Sequence, residues 1–128
     1  MVNKEFDIRL NEEQEKERIK FLMARNFDDF KIHWYYYKSF LKHGVTLDEV
    51  REIYPKFDKI VGVYKREGNK GYLYSFIYDL GDFLSLYLIF ILDENPPQFF
   101  NAYYDHTKSH KAIKNRIKKW IVSGNVKG

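Results

Sequence analysis

The chain has 128 residues, of which 45% are hydrophobic and 31% charged, and it contains no cysteine. This describes one globular domain with a core of its own; it excludes disulfides, thiolate metal sites and cysteine nucleophiles, and fits a cytoplasmic setting. The net charge of +4 is uneven, because residues 105–128 hold seven Lys/Arg against one acidic residue while the rest is near balance.

The first ten residues lack the apolar run of a signal peptide and read as a short extended segment. Asn11-Glu12-Glu13-Gln14 has the form of a capping box, so a helix is expected from there to about Arg25. Ile19, Leu22 and Met23 form its narrow apolar stripe, and the side from Glu12 to Lys20 is expected in solvent. Asn26-Phe27-Asp28-Asp29 breaks the chain. Phe30, Trp34, Tyr37 and Leu41 then recur at i, i+4, i+7 and i+11, a helical stripe ending at Lys42-His43-Gly44, with a strand over Trp34–Tyr37 as the alternative. Thr46-Leu47-Asp48-Glu49 is a second capping box, opening a short helix that Pro55 stops.

Four strand-like runs follow: Lys59–Arg66, Tyr72–Asp79, Phe83–Leu92 and Phe99–Tyr104. The third is almost wholly apolar, but ten residues are half of the roughly 20 that a membrane helix needs, so it is expected as a strand in the middle of a sheet. The connections are too short for parallel crossovers, which makes the four runs an antiparallel meander. A basic amphipathic helix is expected to close the chain from about Thr107, with Ile113, Ile117, Trp120 and Ile121 on its apolar side. The fold class is therefore α+β in a single domain, residues 1–30 forming a helical extension and 31–122 an α-β4-α core.

Two places can carry chemistry. Tyr103-Tyr104-Asp105-His106-Thr107-Lys108-Ser109-His110-Lys111 lies where the last strand hands over to the basic helix. Cations for phosphate, aromatic rings for unstacked bases, and imidazole or phenol for proton transfer suit RNA. The other reading makes the tyrosines core and the lysines solubilising. Lys65 and Arg66, with Lys70 in the following loop, can join the same groove or form an ordinary charged hairpin. His106 and His110 have the i, i+4 spacing of metal ligands, but only Asp105 is near enough in sequence to complete a shell. No metal or cofactor is expected. The pairs Asp28-Asp29, Glu12-Glu13 and Asp93-Glu94 read as caps and turns.

Lys42-His43-Gly44-Val45-Thr46-Leu47-Asp48-Glu49-Val50 resembles the KHG(V/I)(S/T)xEEA segment of BrnT-type toxins. These are small ribonuclease toxins of type II toxin–antitoxin modules with a RelE/ParE-like fold. The resemblance spans about residues 34–120 and is specific at 42–50. Asn101-Ala102-Tyr103-Tyr104-Asp105-His106-Thr107-Lys108 stands where the family carries an arginine-containing segment, and Tyr103 replaces that arginine. The resemblance implies metal-independent RNA cleavage and a cognate antitoxin protein as partner. The clustering, taken with it, puts His106, Tyr103 and His110 in acid and base roles, Lys108 and Lys111 on phosphate, and Lys42 and His43 near the helix–sheet junction. The competing expectation is a non-catalytic module of the same fold that binds nucleic acid or protein, as an inactive relative, an immunity protein or a phage protein. A homodimer is also open, because 19% of the residues are aromatic.

Overall fold

The computed structural model describes residues 7–68 and 71–106. Elements run in the order β1 (Ile8–Arg9), α1 (Glu12–Met23), a 3₁₀ turn, β2 (Lys31–Ile32), α2 (Trp34–His43), α3 (Leu47–Ile53), a second 3₁₀ turn, β3 (Ile60–Gly68), β4 (Gly71–Gly81), β5 (Leu84–Ile91) and β6 (Gln98–Asp105). The fold is α+β, and no helix among the described residues is long and apolar enough to cross a membrane.

β3 to β6 pair antiparallel in sequence order, but the sheet has six strands rather than four. β1 adds to β3, and β2 runs parallel to β6, giving the order β1-β3-β4-β5-β6-β2. Both additions are two-residue strands. Segments that short carry no alternation to detect, and they pair only because longer strands present open edges. The expected closing helix lies outside the described residues.

The capping boxes act as their spacing predicts. The Asn11 side chain accepts the Gln14 N–H at 2.8 Å, and the Gln14 side chain accepts the Asn11 N–H at 3.1 Å. Thr46 and Glu49 do the same for α3. Gly44 ends α2 at φ +68°, where a side chain would be strained.

Ile19 and Leu22 of α1, Tyr36 of α2 and Val50 of α3 meet Tyr74, Phe76, Tyr78, Leu86, Leu88, Phe90 and Phe99 in one core. Its centre is aromatic: Phe90 lies 4.8 Å from Phe30 and 5.5 Å from Phe99, ring to ring, in tilted and edge-on contacts. β5, flanked by β4 and β6, is indeed one of the two middle strands. α1, α3 and Tyr36 of α2 pack on one side of the sheet, here the covered face, while Ser39 and His43 of α2 reach past the edge of β6 to far-face residues. Residues alternating with the core positions, such as Ile77, Tyr87 and Ile89, lie on the far face.

Two helical expectations are corrected. Glu15, on the side of α1 expected in solvent, is fully buried. On α2 the phase is wrong: Trp34, Tyr37 and Leu41 are 66%, 58% and 87% exposed, while Tyr36 and Ser39 point inward. The count from Phe30 crosses a segment that is not helical. Phe30 belongs to the preceding turn, and His33 is the true cap, its Nδ1 accepting the Tyr35 N–H at 3.1 Å. α2 also lies along the edge of β6, where Ser39 donates to Asn101, so it buries only a narrow side.

Candidate nucleic-acid interface

The end of β6 and the end of α2 meet on the far face. Tyr103 projects there because it pairs with Tyr87, which alternates with the core residues Leu86 and Leu88. The two phenol rings stack at 4.8 Å and 15°. The His43 imidazole, in the last turn of α2, stands 5.5 Å from the Tyr103 ring. Adjacent Tyr104 projects to the covered face, where its hydroxyl donates to Glu49 Oε2 at 2.8 Å. The tyrosine pair of the sequence is therefore divided between two sides of the sheet.

The electrostatics of this corner are mixed. Burial, followed by the Asp7 carboxylate, raises the Tyr103 phenol above its ordinary value, and Arg66 partly opposes the shift. Burial also pushes Tyr87 up to about 12, with Asp105 and Tyr103 adding to it. Both hydroxyls stay protonated at neutral pH, so Tyr103 suits a proton donor and not a base. His106 is exposed at the end of β6. Lys42 is exposed beside His43.

Lys65 and Arg66 do not share a surface. Lys65 pairs with the core residue Tyr74 and so leans to the covered side, where its ammonium lies 3.9 Å above the Tyr72 ring. Arg66 projects to the far face and makes a two-pronged pair with Asp7, Nε to Oδ1 at 2.9 Å and Nη2 to Oδ2 at 3.0 Å. Lys70, Lys108, His110 and Lys111 lie outside the described residues. Among the described residues, no group of three His, Asp or Glu side chains is placed to hold a metal ion.

Two participants escape the sequence reading: Tyr87 and Asp7. Tyr87 sits inside the apolar run and looks like core there. Its partner cannot be counted across the β5–β6 turn, because a bulge at Phe100 shifts the register. Asp7 reaches the site only through β1. A separate cleft of about 270 Å³, lined by His33, Trp34, Tyr72, Leu73, Ile91 and Phe100 among others, opens at the opposite end of β6.

No protein-family model, no curated protein and no solved structure matches this chain.

Proposed function

We propose that the protein is a metal-independent endoribonuclease of the toxin type, held in check by a cognate antitoxin protein. The observation that carries this reading is the approach of the Tyr103 phenol and the His43 imidazole, 5.5 Å apart ring to ring; His106 is exposed just past the end of the same strand. In the reaction a histidine, His43 or His106, takes the proton from a ribose 2′-hydroxyl. The 2′-oxygen attacks the adjacent phosphorus, the P–O5′ bond breaks, and a 2′,3′-cyclic phosphate forms. The leaving 5′-oxygen takes its proton from a neutral acid, a role for which the raised Tyr103 is suited. Lys42 and Arg66 supply cations to the phosphate, Arg66 by exchanging its carboxylate partner. His110, Lys108 and Lys111, expected from the sequence in acid–base and phosphate roles, lie outside the described residues. The likeness of residues 42–50 to the BrnT segment supports the assignment.

The test is incubation of the full chain with single-stranded RNA in EDTA. Wild type is expected to leave 2′,3′-cyclic ends. Tyr103→Phe and His106→Ala are expected to cut about 10²-fold more slowly or worse, without loss of melting temperature. RNA left intact by wild type overturns the reading.

One observation favours a second reading, a binding module without catalysis. The exposed Trp34, Tyr37 and Leu41 of α2 form an apolar strip of the kind that protein partners cover. RNA bound but uncut, or a protein partner lost on Leu41→Lys, would select it.

A further inference from the structure

The seam between α2 and β6 has an aromatic cleft at one end and the His43–Tyr103 pair at the other. His33 and Trp34, at the start of α2, line the cleft together with Leu73, Ile91 and Phe100. His43, at the end of the same helix, meets Tyr103. Ten helical residues put the two places roughly 15 Å apart. Leu73 and Ile91 alternate with the core residues Tyr74 and Phe90, so the cleft opens on the far face, as Tyr103 does.

The walls of the cleft are rings already held in place. Phe100 stacks on Tyr35 at 4.7 Å and 12° and lies 4.9 Å from His33. The His33 ring is fixed by its own capping bond, Nδ1 accepting the Tyr35 N–H. Neither ring has to be ordered when a ligand arrives, which removes part of the cost of binding. Trp34 stands 5.4 Å from His33 and is 66% exposed, so one large π face remains at the rim. A volume of about 270 Å³ falls just below the range of roughly 300–1,000 Å³ that takes drug-sized ligands, and suits one planar group.

From Trp34 the helix carries Lys38 and Lys42 at i+4 and i+8, both exposed. That spacing places the two ammonium groups on the Trp34 side of α2, in line towards His43. Rings that offer a stacking face, followed by a row of cations, match a single nucleic-acid strand, whose bases stack while its backbone is tracked by charge. We propose that the cleft is a base subsite: it takes one unstacked nucleobase of the RNA, and Lys38 and Lys42 carry the phosphates on to His43 and Tyr103. This rests on RNA as the ligand in the proposed function, and not on its cleavage.

The test is binding of the full chain to a short single-stranded 2′-O-methyl RNA, which lacks the attacking hydroxyl and reads affinity without cutting. Trp34→Ala is expected to weaken binding roughly tenfold. An abasic residue walked along the oligonucleotide is expected to cost wild type a similar factor at one position, and there to cost the Trp34→Ala protein nothing more. The abasic arm needs no change in the protein. Lys38→Ala is expected to lower the salt slope of binding by about one. Tyr37→Ala serves as the control, because Tyr37 lines a different hollow with Phe40 and Leu47, and is expected to bind as wild type. Two outcomes overturn the subsite. Either Trp34→Ala binds like wild type, which returns Trp34 to the strip that a protein partner covers, or its loss multiplies with the abasic loss at every position. If unmodified RNA is still cut in those cases, the ribonuclease reading survives without the subsite. The expected losses with unmodified RNA left intact support the subsite and remove catalysis alone.

Discussion

At Glu15 a carboxylate sits fully buried in a helix whose other first-turn acids lie in water. Its Oε2 accepts from Arg9 Nε and from the Val63 backbone N–H, each at 2.9 Å, while Arg9 also donates to the Val61 carbonyl at 2.9 Å. One side chain thus ties α1, β1 and β3 together. Removing it strands a buried N–H and takes from Arg9 the carboxylate it pairs with here. Glu15→Ala is expected to cost about 2–4 kcal/mol in urea denaturation, and Glu15→Gln less, because an acceptor for Val63 remains. A loss below about 0.5 kcal/mol, the range of an ordinary surface substitution, would show that the knot holds nothing. Glu15 stands at i, i+4 and i+7 with Ile19 and Leu22, so the spacing puts it on the buried stripe, but its charge reads as solvent-facing. Its partners come from distant parts of the chain.

Among the elements, α2 separates hydrophobic content from burial. Tyr36 packs on Phe99 at 5.4 Å, and its hydroxyl donates to the Val45 carbonyl at 2.7 Å. Leu41 touches little. Tyr36→Ala is expected to cost about 3–5 kcal/mol, and Leu41→Lys no more than about 0.5 kcal/mol, by thermal or urea unfolding. The reverse ranking would restore the helical phase counted from Phe30. That α2 is a helix ending at Gly44 is legible in its local signals. Which side it buries is not, because nearly every position is aromatic or apolar and periodicity loses its contrast.

For the molecule as a whole, the abundance of buried tyrosine sets a limit on alkaline stability. Burial raises Tyr78 well above its ordinary value and pushes Tyr87 and Tyr104 up to about 12. An unfolded tyrosine loses its proton near 10. Below that pH both states hold the proton and the folded state keeps its full advantage. Above it the unfolded chain binds fewer protons, so stability falls as pH rises and the contribution of Tyr87 and Tyr104 is gone beyond about 12. Urea midpoints are expected to hold steady to about pH 10 and drop from there, with Tyr104→Phe flattening the drop. A midpoint unchanged from pH 9 to pH 12 would contradict these shifts.

Local chemistry let the sequence determine the α+β order of elements, the three helices, their caps at Asn11 and Thr46, the stop at Gly44 and the four long strands in antiparallel succession. Those features arise between residues a few positions apart, where spacing is information. Tertiary structure alone decided the two added edge strands, the partners of Glu15, the inward side of α2, the division of Tyr103 from Tyr104 and the meeting of His43 with Tyr103. Each depends on register across a bulge or on an edge left open by another strand, and such pairings are settled by the packing of the whole sheet.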